Sequence, residues 1–301
     1  MNKHIFTDRL TARVGSGIAG KKKFFSQSIK SESFESLVNA VSVPEIEISG
    51  EGTFDLTTET TGGSLEVAYR VEKWLGDDYP TLIYHHGNNE RPFDYRKGAK
   101  NTFLNIFVRG RDAFKINLIV VRAPFHDLSL KEYQEKMTDL KNFMNMIAAS
   151  VKVNEALIRA LQGDQPVLTS GISLGGWVTN LHRSIYNTSA IYIPLLAGSF
   201  LGELFLCSKY KRLAGQLALQ QPDQVRELLN FDKTFNKVSE MNVFPLLARY
   251  DQFIEYEVQR ESYVGMAVKT IEAGHVTAAV SASELRAHIL QILEKTGICI
   301  D

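Results

Sequence analysis

The chain contains the hexapeptide Gly171-Ile172-Ser173-Leu174-Gly175-Gly176, in which a serine stands between two glycines. The apolar and β-branched run Val167–Ile172 leads into the serine and predicts a strand. The residues after it have the spacing of one helix face: Trp177, Val178, Leu181 and Ile185. The serine therefore lies where a strand turns into a helix. Glycine gives such a tight corner backbone freedom and room, and a helix N-terminus favours negative charge beside the serine.

This arrangement predicts a nucleophile elbow, a turn that holds a serine hydroxyl over the end of a sheet. The alternative is a glycine-rich turn with an exposed serine, because the five-residue pattern alone arises readily by chance. Only the nucleophile elbow requires further catalytic side chains elsewhere in the chain. A serine hydroxyl is a poor nucleophile near neutral pH, so it needs a base to accept its proton and a carboxylate to orient that base.

Candidates for both partners follow later strands. In open α/β sheets the working side chains gather at the carboxyl ends of the strands. Asp251 follows the predicted strand 243–249, and His275 follows the predicted strand 266–271. The order serine, aspartate, histidine is one in which such triads occur. We therefore predict Ser173 as the nucleophile, His275 as the base and Asp251 as the acid.

Each partner also has a structural interpretation. An aspartate after a strand is often a turn residue or a helix N-cap, and Glu255 is the reserve candidate for the acid. His275 could be a polar loop residue, although only His288 lies further along the chain. The residues that we rank lower as catalytic groups lie on predicted helices: His182, Asp232 and His288.

Cleavage of an acyl bond also needs backbone N–H groups aimed at the oxygen on which negative charge develops. Leu174, the residue after the nucleophile, is predicted to supply one. The loop after the predicted strand Thr81–His85 is predicted to supply the other, from Asn88 or, as second choice, Asn89. The alternative for this loop is a simple strand-end turn.

The adjacent histidines His85 and His86 do not indicate a metal site. Neighbours in a strand point to opposite faces, and neither a cysteine nor a further histidine is near in sequence. We predict no metal and no cofactor.

Strand and helix signals alternate from residue 81 onward. The predicted strands are 81–85, 116–121, 167–172, 190–196, 243–249 and 266–271. Before them, segments 45–48 and 65–69 alternate apolar and polar residues, with Gly62-Gly63 as a hairpin turn. The predicted helices include 32–40, 95–108, 130–147 and a final helix, the last two with capping boxes at Ser129/Glu132 and Ser281/Glu284.

This alternation predicts a mostly parallel sheet with helices on both faces, and the leading hairpin predicts an antiparallel edge. Residues 199–241 are mostly helical in pattern and contain no clear strand. Residues 1–43 look peripheral. No repeat or low-complexity linker marks a second domain.

Composition narrows the class of protein. The chain has 301 residues, of which 44% are hydrophobic and 23% charged, as expected of one large α/β domain. Lys plus Arg equals Asp plus Glu at 34 each, which argues against a broad nucleic-acid surface. The basic run Lys21-Lys22-Lys23 predicts a solvated segment, with contact to an anionic membrane surface as the alternative.

The remaining signals concern location. Cys207 and Cys299 have neither metal-ligand nor disulfide-framework spacing, which favours a reducing, cytoplasmic compartment. Residues 1–20 lack the pattern of a secretory signal. The most apolar stretch, 190–207, holds two glycines, a proline and Glu203, which disfavours an integral membrane segment. The residues carry no signal for an oligomeric state.

Together, these residues resemble the α/β-hydrolase superfamily. The matching pieces are His86-Gly87 after a strand, the elbow, Asp251 and His275, and the resemblance covers roughly residues 45–298. It implies an eight-stranded, mostly parallel sheet with a small helical cap, here at about 199–241, within a hydrolase domain 44–301 that follows the peripheral segment 1–43. The segment 122–127 departs from the usual glycine-bearing loop, which leaves the shape of one pocket wall open.

The resemblance implies a serine hydrolase that cleaves a carboxylic ester or thioester of a small-molecule acyl substrate through an acyl-enzyme. The same triad could instead cleave a peptide or amide bond, transfer an acyl group or cleave a C–C bond. A third hypothesis is a non-catalytic binding protein of the same fold, which predicts a missing or misplaced triad member. The apolar stretch 191–206, with Phe200 and Phe205, could line an acyl pocket or simply pack in the core.

Overall fold

Eight strands form one open sheet in the computed structural model, which describes residues 2–161 and 163–298. The strands are β1 Gly52–Thr60, β2 Gly63–Lys73, β3 Thr81–His85, β4 Asn117–Arg122, β5 Val167–Ile172, β6 Ile191–Leu195, β7 Leu246–Ala248 and β8 Lys269–Ile271. Their order is β1-β2-β4-β3-β5-β6-β7-β8, with β1 and β2 antiparallel and β3 to β8 parallel. This confirms the mostly parallel sheet with an antiparallel edge.

The predicted hairpin is present, but it turns at Thr61 and Gly62, one residue before the predicted Gly62-Gly63, because Gly63 already pairs with Thr60 in the ladder. The prediction of a strand at 45–48 is wrong, because these residues belong to no strand. Ile46 is buried in the apolar core, which accounts for the alternating pattern without a ladder partner.

The helices are α1 Lys3–Ala19, α2 Phe34–Ala40, α3 Thr102–Ile106, α4 Leu130–Lys136, α5 Leu140–Ala160, α6 Leu174–Ile185, α7 Leu201–Leu206, α8 Gln216–Gln220, α9 Pro222–Leu229, α10 Asp232–Phe235, α11 Tyr256–Gln259, α12 His275–Val280 and α13 Ala282–Lys295. Short 3₁₀ turns cover Val108–Ala113, Lys209–Leu213 and Arg260–Tyr263. The region 199–241 is helical, as predicted.

Two predicted helices differ from the observed ones. The helix predicted for 95–108 is reduced to α3 and a 3₁₀ turn, because Asn101 caps α3 through a hydrogen bond from the N–H of Leu104 (2.9 Å). The helix predicted for 130–147 is two helices. In the break between them, Met137 accepts a hydrogen bond from the N–H of Phe25 (2.9 Å), so a distant segment of chain separates α4 from α5.

One of the two predicted capping boxes is present. Ser129 and Glu132 form theirs at the start of α4. The box predicted for Ser281 and Glu284 is absent, because the Ser281 hydroxyl donates to the carbonyl of Thr277 (2.8 Å) in the preceding helix.

An apolar core lies on each face of the sheet. Leu82 and Tyr84 belong to one core and Ile83 of the same strand to the other, as alternation along a strand requires. Helices α5 and α6 pack in the core of Ile83, and α3 and α13 in the core of Leu82. The predicted placement of helices on both faces is therefore confirmed.

The N-terminal segment carries a 17-residue helix, α1, that the sequence did not predict. It packs against α12 and the Lys209–Leu213 turn, and its buried residues include Asp8 and Ala12. The division at residue 43 and the cap at 199–241 stay predictions. Within the described ranges, no helix has the length and apolar character needed to cross a bilayer. Cys207 is an exposed free thiol, and Cys299 lies outside the described residues.

The corner between β5 and α6 is packed too closely for side chains. A Cβ added at Gly175 would overlap the carbonyl oxygen of His85 at the end of β3, and one at Gly171 would overlap the carbonyl group of Gly175. A Cβ at Gly176 would lie 2.6 Å from that of Ala197. Glycines are therefore required here by backbone contact.

We expect Gly175→Ala to lower the free energy of unfolding by at least about 2 kcal/mol, because the added methyl must push backbone apart. Gly17 in α1 is a matched control, since a Cβ there meets nothing within 4 Å. Gly17→Ala is expected to raise that free energy by about 0.5–1 kcal/mol. Urea denaturation of both variants measures the difference, and a Gly175→Ala protein as stable as the native chain contradicts the packing argument.

Candidate active site

Ser173 occupies the corner in a strained backbone conformation. Its φ of 53° and ψ of −108° are rare for a residue with a side chain. The conformation is held by a hydrogen bond from the Ser173 N–H to the carbonyl of Leu195 in β6 (2.9 Å). The serine lines a cavity of about 210 Å³ at the carboxyl ends of the strands.

Asp251 and His275 are joined by a short hydrogen bond beside this cavity. Asp251 follows β7, and His275 is the first residue of α12 after β8. The distance from Asp251 Oδ2 to His275 Nδ1 is 2.7 Å. The other carboxylate oxygen, Oδ1, accepts the N–H groups of Phe253 and Ile254, each at 2.8 Å. The carboxylate is thus buried, fully bonded and fixed in orientation.

The charges around His275 favour its protonated form. Burial, the largest single effect, would lower the pKa of the imidazole, but the charge and hydrogen bond of Asp251 and the charges of Asp8 and Glu90 together outweigh it. The pKa of His275 is therefore raised above its ordinary value. When the ring is neutral, Nδ1–H donates to Asp251, which leaves Nε2 as the proton acceptor.

The structure brings the three predicted residues to one place. His275 lines the same cavity as Ser173, and its Nδ1 is occupied by Asp251. Among residues 2–161 and 163–298, no hydrogen bond joins the Ser173 hydroxyl to the His275 ring. Serine–histidine contacts of this type commonly tighten only when substrate binds.

The backbone N–H groups of Leu174 and Asn88, which both line the cavity, have no acceptor in the part of the chain that the structure describes. The N–H of Asn89, the second choice, donates to His126 Nε2 (3.3 Å) and is occupied. The side chain of Asn88 is held by the hydroxyls of Tyr133 and Tyr210. These contacts fix the loop that carries the predicted donor.

Two buried neutral histidines support that loop. His86 Nδ1 lies 2.7 Å from the carbonyl of Gly87, and its Nε2 accepts the N–H of Ala123 (3.0 Å). Burial lowers the pKa of His126 to about 4, which keeps its Nε2 an acceptor for the loop. His126 lies in the segment 122–127, where the sequence departs from the family pattern; this segment supports the loop from behind, and none of its residues lines the cavity of Ser173.

The prediction that His85 and His86 point to opposite faces is wrong. Their rings stack with centroids 5.1 Å apart, because His86 lies beyond the end of β3 and no longer follows strand alternation. The described residues contain no group of three or more His, Cys, Asp or Glu side chains that could hold a metal ion.

Asp8 is a buried carboxylate at the site that the sequence did not reveal. Its Oδ2 accepts the N–H groups of His275 (2.8 Å) and Gln252 (3.1 Å), and its Oδ1 accepts that of Val276 (3.0 Å). Asp8 therefore caps the helix that begins at His275 and ties it to the loop after Asp251. Burial raises the pKa of Asp8, and the nearby Asp251 charge adds to this, against the lowering effect of the backbone donors.

Glu90 is the second carboxylate that was missed. It is buried at the end of the Asn88 loop, where its Oε2 accepts the N–H (2.8 Å) and hydroxyl (2.7 Å) of Thr102. Burial raises its pKa. The sequence signal was a glutamate between the Gly87 turn and an apolar helix. A carboxylate in such a position is commonly buried and then needs hydrogen-bond donors.

The remaining candidates make contacts elsewhere. Within the described chain, Glu255 makes no hydrogen bond to His275. His182 bonds to Glu155 (3.2 Å) and Tyr192 (3.1 Å) in the core, and His288 Nε2 lies 3.1 Å from the Phe244 carbonyl. Asp232 begins α10.

Solved structures with a similar fold include esterases and a peptidase. A hyperthermophilic esterase from Pyrobaculum calidifontis is 12% identical, with a TM-score of 0.52, over 99% of this chain and 96% of that one. Acetyl xylan esterase 1 from Thermoanaerobacterium sp. is 14% identical, with a TM-score of 0.51, over 91% and 93%. Pyrococcus horikoshii acylaminoacyl peptidase is 12% identical, with a TM-score of 0.54, over 82% of this chain but only 42% of the peptidase.

No protein-family model and no curated protein sequence matches the chain. The similarity is therefore one of fold alone. This chain has the α/β-hydrolase fold.

Proposed function

We propose that the protein is a serine hydrolase that cleaves a carboxylic ester or thioester. The observation that carries the proposal is the 2.7 Å hydrogen bond between Asp251 and His275 at a cavity that Ser173 also lines. Two N–H groups without an acceptor, those of Leu174 and Asn88, line the same cavity. Nucleophile, base, acid and oxyanion donors are the parts that acyl transfer requires.

The chemistry follows from these positions. The Ser173 oxygen attacks the carbonyl carbon while His275 Nε2 accepts the serine proton. Asp251 holds Nδ1–H and balances the charge of the imidazolium. The N–H groups of Leu174 and Asn88 bind the oxyanion. The imidazolium then gives its proton to the leaving alcohol or thiol, and water attacks the acyl-enzyme with His275 again as base.

The cavity favours an apolar acyl group. Leu201, Leu204 and Phe205 line it, so part of the stretch 191–206 does form the pocket wall, whereas Phe200 is not among the lining residues. An uncharged acyl chain gains from burial against such a wall. We expect a small-molecule acyl substrate and no cofactor. A cytoplasmic location and the absence of a nucleic-acid partner remain predictions from composition.

Amide cleavage is the second candidate. The observation in its favour is the similarity in fold to an acylaminoacyl peptidase. A p-nitrophenyl ester and a p-nitroanilide with the same acyl group separate the two reactions. The ester is expected to turn over, and preference for the anilide would favour the peptidase.

We expect Ser173→Ala to lower kcat/KM for p-nitrophenyl butyrate by at least about a thousandfold, because the nucleophile is lost while the fold is kept. Ser36, exposed on α2, provides a matched control, and Ser36→Ala should keep native activity. Circular dichroism checks that both variants are folded. Unchanged turnover in Ser173→Ala rules out this serine as the nucleophile.

The pH dependence of kcat/KM should report the raised pKa of His275. The base must be neutral, so activity rises as pH increases through that pKa. Asp251→Asn removes the main group that raises this pKa. The acid limb of the pH profile, where kcat/KM rises with pH, should therefore move to lower pH, and the plateau value of kcat/KM should fall at least about a hundredfold.

Asp8→Asn should move the acid limb in the same direction by a smaller amount, because Asp8 contributes a weaker charge effect at His275. As a positioning residue, Asp8 should also affect kcat more than KM. Asp223, fully exposed on α9, is the control, and Asp223→Asn should leave the profile unchanged. An acid limb that stays in place in both Asp251→Asn and Asp8→Asn contradicts the proposed electrostatics.

A further inference from the structure

An apolar groove of about 450 Å³ runs between α1 and α4. We call it the α1 groove and define it by its apolar wall residues: Leu10, Val14 and Ile18 on one side, and Leu130, Tyr133 and Met137 on the other. The three α1 residues follow each other at four-residue spacing, so they line one side of the helix.

Four of the six wall residues of the groove are about half exposed, although they are apolar. Leu10, Val14 and Ile18 are 49%, 54% and 60% exposed, and Leu130 across the groove is 50% exposed. Exposed apolar residues that cluster in this way commonly mark a binding surface.

The α1 groove borders the cavity of Ser173. Six residues line both spaces: Thr11, Phe24, Asn89, Lys100, Tyr210 and Phe253. One end of the groove therefore adjoins the cavity of the proposed active site. This continuity distinguishes the groove from the other exposed apolar residues, such as Val264 and Val280, which line neither space.

The volumes show why the Ser173 cavity needs an extension. Ligand cavities are typically about 300–1,000 Å³. The Ser173 cavity, at about 210 Å³, is below that range, whereas the cavity and the groove of about 450 Å³ together fall within it. A short acyl group fits beside Ser173, and a longer one must continue across the shared border.

We propose that the α1 groove holds the distal part of a medium- or long-chain acyl group whose carbonyl is at Ser173. This inference rests on the proposed function and names its substrate class. The interaction is burial of methylene groups against Leu10, Val14 and Ile18. Helix α1, which forms this wall, also carries Asp8. The same helix therefore lines the groove and supports His275, the proposed base.

The test is a series of p-nitrophenyl esters with acetyl, butyryl, octanoyl, dodecanoyl and hexadecanoyl groups. Each ester is used below its critical micelle concentration. Each buried methylene is expected to raise kcat/KM by up to about fourfold while the chain extends along the groove. Val14→Trp fills the groove and should lower the dodecanoyl-to-acetyl ratio of kcat/KM at least tenfold.

Phe6→Trp is the matched control, because Phe6 is 47% exposed on the same helix and does not line the groove. It should keep the native ratio. A Val14→Trp protein with the native chain-length profile overturns the proposal. So does a profile that falls beyond butyryl in the native protein, or a dimer in sedimentation that buries α1 and is broken by Val14→Trp.

If the protein is not an ester hydrolase, the result is different, because no ester of any length is then hydrolysed. Binding of a fluorescent long-chain fatty acid tests the groove in that case. Binding that is lost in Val14→Trp and kept in Phe6→Trp supports the groove, and equal binding by both variants overturns it.

Discussion

The contact between Gly175 and the carbonyl groups of His85 and His86 is the constraint on which the site depends. It presses the first turn of α6 against the end of β3 with no room for a side chain. Ser173 and Asn88 lie two residues from this contact, on opposite sides of it. The proposed nucleophile and the loop that carries the proposed second oxyanion donor are therefore positioned by backbone packing.

The proposed base, His275, is positioned by a different element. His275 begins a six-residue helix after a three-residue strand. Asp8 supports this short helix, because its carboxylate accepts the N–H groups at the start of the helix and one in the loop after Asp251. A helix outside the sheet thus completes the geometry of its carboxyl edge, and the same helix forms one wall of the α1 groove.

The sequence predicted those parts of the fold that local patterns determine. The glycines around Ser173 and the apolar run of β3 carry their own signals, and Asp251 and His275 could be found because parallel strands end at one edge. Helix α1 could not be found, since its pattern is reversed: Asp8 and Ala12 are buried while Leu10 and Val14 are exposed. The break before α5 was also hidden, because the apolar spacing continues across it and the cause is a hydrogen bond from Phe25, far away in sequence.

We propose that Ser173 is activated by His275 and Asp251. Covalent labelling of the native protein with a fluorophosphonate, followed by intact-mass measurement and peptide mapping, tests this activation. We expect a single adduct on Ser173, formed far more slowly in His275→Ala. Labelling at another residue, or equal rates in the two proteins, would contradict it.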